Sequence, residues 1–269
     1  LNLKEKFMEF EIKIFEKPEK DLEIFWSQLE TDGNFYVFQS YDWFKNWYEV
    51  YFNKNKNLHL RVAVIKHKSN IICILPFQLE KKLALNILRW VGDEELDYCS
   101  PILSEKFNFN KKIFNNILDK VFLKIGRIDI LKLLRQPKKI DNIDNPFILY
   151  LPTYYDSKNY YISLPIKWKD YENTVLKKDF KSQNKRKKNA LKRSGKLKFK
   201  IFKNKNEIVE TLEDLFKQKN MRLSLQKSKT LFQKSDYDFY SSICKSEKKN
   251  FQVHLSSLKL NNKILAMHL

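Results

Sequence analysis

Glycine is scarce. Gly33, Gly92, Gly126 and Gly195 are the 4 glycines of a 269-residue chain, while Lys, Asn, Ile and Phe are used heavily. That pattern fits a genome biased toward A/T-rich codons, which leaves surface drift and function as the two readings of the basicity. Cysteine is also sparse. Cys73, Cys99 and Cys244 are odd in number, far apart and without a CxxC. This argues against a structural disulfide and fits a reducing cytoplasm. His59, His67, His254 and His268 are scattered, so no metal site is expected. No apolar run approaches the ~18 residues of a transmembrane helix. The opening LNLKEKFMEFEIKIFEK lacks the apolar core of a signal peptide.

Positive charge is what the sequence has in excess. The chain carries a formal net charge of +20, and hydrophobic residues make up 43% of it, enough for one large domain or two ordinary ones. Residues 167–205 hold sixteen Lys/Arg against Asp170, Glu172 and Asp179, a net +13. Such a patch attracts phosphates, nucleic acid or an anionic membrane surface.

The basic stretch reads as one helix over residues 168–193. Trp168, Tyr171, Val175, Leu176 and Phe180 share a face, and Ala190 and Leu191 return to it. Residues 181–189 contain nothing apolar, and the stripe runs there through Gln183 and Lys187. Gly195 is placed to end the helix, with Lys192 and Arg193 at the negative end of its dipole. The reading is a helix that leaves the core partway and lines a cleft for an anionic ligand; a solvated lysine-rich surface is the alternative.

The remaining pattern alternates strands and helices. Residues 10–15 alternate as a strand, 19–29 form a short helix, and Ser40 caps a helix through Trp43, Trp47 and Tyr51. Gln39 and Tyr41 stand at that helix entrance, facing a cleft. Residues 59–77 form a hairpin turning at 67–70, and residues 254–269 repeat the pattern, as in a duplicated domain. Between them come a strand at 84–91, a loop at 92–110, a helix at 111–124, a strand at 127–134, an aperiodic stretch at 137–156 and a strand at 160–164. After the basic helix come a strand at 196–202 and helices at 207–221 and 236–246.

The order FQSYDW, a hairpin ending ILPF, a strand running into GDEELDYCSP, and a basic helix ending in Gly before KFKIF resembles the CelD-type acetyltransferases. These belong to the GNAT superfamily and are related in fold to the FemAB-type aminoacyl transferases. Phe180-Lys181 stands where such proteins carry an apolar residue followed by Arg or Lys. The resemblance implies an α/β (α+β) fold of tandem GNAT-like units, with mixed, mostly antiparallel sheets flanked by helices. The units are expected at 1–155, without a cofactor loop, and at 156–269, truncated before one. It implies acyl transfer from acyl-CoA to a small-molecule or glycan acceptor, namely a sugar, polysaccharide precursor or amine.

GNAT proteins hold the pyrophosphate on backbone N–H groups at a Gly-rich turn that starts a helix. Residues 92–110 have one glycine with Asp93, Glu94, Glu95 and Asp97, whose carboxylates repel a pyrophosphate. That loop is expected to shape the acceptor site, with Asp97 as proton acceptor and Tyr98 as hydrogen-bonding phenol. Lys181, Gln183, Arg186 and Lys187 are the expected substrate-binding cations and amide of the helix. The chain starts at Leu1 and stops in a strand pattern, so it reads as a fragment, with the acyl-CoA turn expected within about 30 residues past Leu269. Cys99 has no His nearby in sequence and reads as a small buried side chain. A FemAB-like transferase using aminoacyl-tRNA is the second reading. A non-catalytic module binding nucleic acid or anionic lipid, in peripheral membrane contact, is the third. The stretch has few interleaved aromatics and no nucleic-acid motif, so DNA is not an expected partner.

Overall fold

A computed structural model describes residues 9–154, 162–228, 231–246 and 251–269. The first eight residues, and Tyr160 and Tyr161 of the strand expected at 160–164, lie outside the described residues.

The elements run in this order: β1 (Glu11–Phe15), α1 (Lys20–Asp32), β2 (Gly33–Asn34), α2 (Tyr41–Val50), β3 (Leu58–His67), β4 (Asn70–Lys82), β5 (Leu85–Trp90), β6 (Ile102–Ser104), α3 (Lys111–Ile125), β7 (Ile130–Leu131), β8 (Lys139–Ile140), β9 (Ile143–Asp144), α4 (Pro146–Tyr150), α5 (Trp168–Thr174), α6 (Lys178–Arg193), β10 (Leu197–Phe202), α7 (Lys205–Leu225), α8 (Lys234–Lys245), β11 (Leu255–Leu260) and β12 (Lys263–His268). The fold is mixed α/β with sheets flanked by helices. Chain contacts divide it into two compact units: Leu1–Asp156 with Asp238–Phe251, and Ser157–Tyr237 with Gln252–Leu269.

The first unit is built on a seven-stranded sheet whose main path is β1-β3-β4-β5-β7, with β6 joining β4 to β2. Its pairs are antiparallel except β5 with β7. β3 and β4 form the long hairpin, and its two turn residues, Lys68 and Ser69, have φ of 47° and 66°. Two positive φ values make a type I′ turn, whose twist suits a tight hairpin. Eight consecutive residues of β4 are buried, the mark of a strand covered on both faces. Leu22, Trp26 and Leu29 of α1 are buried in the same unit, as are Phe114, Ile117, Leu118 and Val121 of α3. Phe77 stacks on Trp90 at 4.7 Å, and Phe147 meets both edge-on. Ser40 caps α2, its Oγ accepting from the Trp43 N–H.

In the second unit β10, β11 and β12 form a three-stranded antiparallel sheet. Its hairpin turns on Asn261 and Asn262, at φ of 48° and 70°. Asn tolerates the left-handed region better than most residues, so this turn is chemically apt. Phe202 pairs with Leu255 across β10 and β11, and both are buried. α7 buries Ile208, Leu212 and Phe216, and Phe216 meets Phe232 and Tyr237 edge-on.

Three expected elements differ, the first being the strand expected at 160–164, whose described residues 162–164 form no strand and are exposed. The helix expected over residues 168–193 is two helices, α5 and α6, separated at Val175, Leu176 and Lys177. Lys177 is extended at ψ 146°, so the backbone leaves the helix there and starts again. The Lys181 ammonium reaches back to the Glu172 carbonyl at 2.8 Å, which satisfies one of the acceptors left at the end of α5. The strand expected at 127–134 shrinks to β7. Leu131, Leu134 and Ile130 alternate poorly with burial and all stand exposed.

Candidate functional site

Of the sequence-selected residues of the first unit, Gln39 and Tyr98 are joined by a hydrogen bond, while Tyr41 packs against Trp26 and Phe44 instead. Gln39 ends a 3-10 turn of Val37–Gln39 just ahead of α2 and is buried. Its amide nitrogen donates to the Tyr98 carbonyl at 2.8 Å, and its amide oxygen accepts from the Ser100 hydroxyl at 3.2 Å. Gln39 therefore fixes the 98–100 backbone to the entrance of α2. The Tyr98 ring, half-buried, stacks on Tyr36 with centroids 5.0 Å apart. The Tyr36 hydroxyl in turn donates to the Lys139 carbonyl at 2.8 Å. Asp97, the residue before, is exposed. This gives an aromatic pair with a solvent-facing carboxylate alongside in sequence.

Tyr41 is buried rather than open. Burial, followed by the charges of Glu23, Glu49 and Asp42, pushes its phenol up to about 12. It is a neutral hydroxyl at physiological pH and no base. Cys99 is buried in the same loop, and burial, reinforced by the nearby Asp93, pushes its thiol above the usual range. It is accordingly unsuited to nucleophilic work.

The loop's acids divide into distinct roles that the sequence does not separate. Asp93 is buried and takes a bidentate grip from Arg89, Nε to Oδ2 at 3.0 Å and Nη2 to Oδ1 at 2.7 Å. Arg89 also donates to Glu94 at 2.8 Å and to Glu80 at 2.6 Å. Burial works against the Arg89 charge, but the hydrogen bonds to Asp93, Glu94 and Glu80 outweigh it and raise its pKa. Burial pushes the Asp93 carboxyl up, and the guanidinium pulls it part of the way back. The Arg89 hydrogen bond holds Glu94 below its usual range. Glu95 accepts from the Trp47 indole at 3.1 Å. Arg89 is the residue that sequence reasoning missed, and Asp93 is a structural anion.

In the second unit α6 carries Lys178, Lys181, Lys185, Arg186, Lys187, Lys188, Lys192 and Arg193 against Asp179, and none of its residues is buried. Gln183, Arg186 and Lys187 are exposed, and Lys181 is half-buried through its bond to α5. Phe180 is 51% exposed, so the apolar stripe read along this helix buries little. Gly195 follows the Ser194 cap at φ +152°, in the position expected of a helix-ending glycine.

A thioester donor such as acyl-CoA needs a row of free backbone N–H groups for its pyrophosphate. Gly33 and Gly126 end helices, Gly195 follows one, and Gly92 sits in the turn after β5. The starts of α3 and α7 are capped by Asn110 and Asn204, whose side chains accept from their N–H groups. Among the described residues no glycine turn opens a helix, while the starts of α5 and α6 carry no side-chain cap. No group of three metal-ligating side chains is found among the described residues, and no described helix is long and apolar enough to cross a membrane.

No curated protein and no solved structure matches the chain. Residues 178–269, which hold α6, β10, α7, α8, β11 and β12, match the family model described as an acetyltransferase (GNAT) domain, and this similarity over about a third of the chain supports acyl transfer in general.

Proposed function

We propose that the chain is an N- or O-acyltransferase of the GNAT type, with CelD-like specificity. It would move an acyl group from acyl-CoA to a sugar, polysaccharide precursor or amine. The observation that carries this reading is the family match over residues 178–269. On the acceptor side, the attacking amine or hydroxyl must lose a proton as it bonds to the acyl carbon. Asp97 is the exposed carboxylate proposed to take it, directly or through water. Tyr98, the next residue in sequence, is held by Gln39 and stacked on Tyr36, and its phenol is proposed to hydrogen-bond the acceptor. Lys181, Gln183, Arg186 and Lys187 are proposed to meet anionic groups of a substrate on the second unit.

The test is thiol release from acetyl-CoA by the full chain, offered amine and sugar acceptors in turn. Release that depends on one acceptor class is expected. Asp97→Asn should then lower kcat by roughly 10²–10⁴, the usual range for a general base. No release with any acceptor removes the reading.

A second reading rests on α6. A helix with eight cations and no buried residue is a candidate face for an anionic polymer. It would suit a FemAB-like transferase using aminoacyl-tRNA, or a non-catalytic module binding nucleic acid or anionic lipid. Binding to such a polymer should weaken steeply as salt rises, and replacing Lys185, Arg186, Lys187 and Lys188 with Ala should flatten the slope. A flat dependence in the unaltered chain removes this reading.

A further inference from the structure

Four indoles converge on one cavity in the first unit, from Trp26 of α1, Trp43 and Trp47 of α2, and Trp90 of β5. Two have their N–H groups satisfied. Trp26 donates to the Gln39 carbonyl at 2.9 Å, and Trp47 donates to Glu95 at 3.1 Å. Trp43 and Trp90, 8% and 1% exposed, have buried N–H groups with no acceptor among the described residues. An unmet buried donor costs about 1–3 kcal/mol, so each of the two calls for an acceptor. A protein interior takes a single water where a polar cavity offers it two to four partners.

We propose that this cavity is a binding site for a single small neutral hydrogen-bond acceptor, a long-lived buried water held by the indoles of Trp43 and Trp90. The partners for its own protons line the same cavity. The Gln39 carbonyl accepts one bond from Trp26 and keeps a second lone pair, as does the Gln39 amide oxygen after its bond from Ser100. The Pro76 carbonyl accepts from the Val91 N–H and is likewise half-used. Chloride is the other small acceptor. Glu95 ends on the Trp47 indole of this wall, and Asp93 and Glu95 both act on the charge of Cys99, which lines it. Arg135 and Arg89 oppose those two charges at Cys99, so the chloride arm of the experiment decides between the two ligands. The bound water ties α2 and β5 to Gln39, the residue that fixes Tyr98, so it belongs to the support of the loop rather than to its chemistry.

The experiment is water–protein cross-relaxation on the full chain with nitrogen-15-labelled tryptophan. The indole signals are assigned by Trp43→Phe and Trp90→Phe. Cross-peaks to water of the sign that marks long residence are expected for both indole N–H protons, unchanged by added chloride. Losing one indole should weaken the cross-peak of the other. Absence of the peak at both indoles overturns the site, as does an upfield shift of both protons showing that they point at ring faces instead. Signals that move with chloride concentration overturn the neutral ligand in favour of an anion. Should either phenylalanine variant fail to fold, amide signals of known neighbours assign the unaltered chain, and the same two outcomes decide.

Discussion

Arg89 donates to Asp93, Glu94 and Glu80, and of these only Glu94 stands mostly in water, with 71% of its side chain exposed. The three carboxylates therefore differ in what they contribute with pH. The folded pKa of Glu94 lies below its unfolded value, so its stabilisation is present above the unfolded value and is lost as pH falls through the folded one. Asp93 has the opposite sign, because burial raises its folded pKa. Screening keeps the exposed pair small: Glu94→Gln should cost less than about 1 kcal/mol at neutral pH. The gap to the unaltered chain should begin to shrink as the pH falls through about 4, where an ordinary glutamate protonates, and close only below the lower folded value. Urea unfolding at two pH values measures it, and a gap that widens on acidification would contradict the sign. Gln39 is the larger case. Gln39→Leu leaves the Tyr98 carbonyl and the Ser100 hydroxyl without their buried partner, and should cost about 1–3 kcal/mol. A variant as stable as the original would show that Gln39 does not support the loop. The sequence showed Gln39 and Tyr98 as separate candidates but not their bond, which joins residues 59 apart. It hid the role of Arg89 for a different reason. A spacing of four signals a contact only in a helix, and here Gly92, at φ +66°, turns the chain back so that Asp93 meets Arg89.

Periodic elements were the most legible. The hairpin of β3 and β4, the Ser40 cap of α2, the helix α3 and the closing hairpin all follow from alternation, helical spacing and turn chemistry that are local in the chain. β6 was missed because three residues are too few to show a period. The break between α5 and α6 was missed because the apolar stripe continues across it in register, while the backbone does not. Gly195 was read correctly as a helix end, and its surroundings give a test. At φ +152° it sits where L side chains rarely go, and an added Cβ would collide with the Asn261 side chain. That side chain is not free to swing away, because its Oδ1 accepts from the Lys196 N–H at 2.7 Å. Gly195→Ala should therefore destabilise the second unit by about 1–3 kcal/mol, the cost of a strained backbone position. Loss of amide protection confined to β10–β12 in hydrogen exchange would show it. Unchanged exchange there would mean that Asn261 yields at little cost.

For the molecule as a whole, composition and element order pointed to a mixed α/β chain. They did not show which unit each segment packs with. Amphipathic spacing says that one face of a helix is buried, not what buries it. The segment Asp238–Phe251 makes this concrete, since it follows β10 and α7 in sequence yet packs with the first unit. Phe239 meets Trp43 at 5.2 Å and Tyr51 at 5.5 Å, and Ser242 hydrogen-bonds Asn46 of α2. Phe239 is 1% exposed, so its removal opens a cavity against α2. Phe239→Ala should cost about 3–5 kcal/mol, the range for a buried phenylalanine. The location of the damage is the sharper test. Hydrogen exchange should speed up in α2, about 200 residues earlier in the chain, while β10, β11 and β12 keep their protection. Faster exchange confined to β10–β12 would mean that the segment stabilises its sequence neighbours instead, and the division of the chain would have to be redrawn at residue 238.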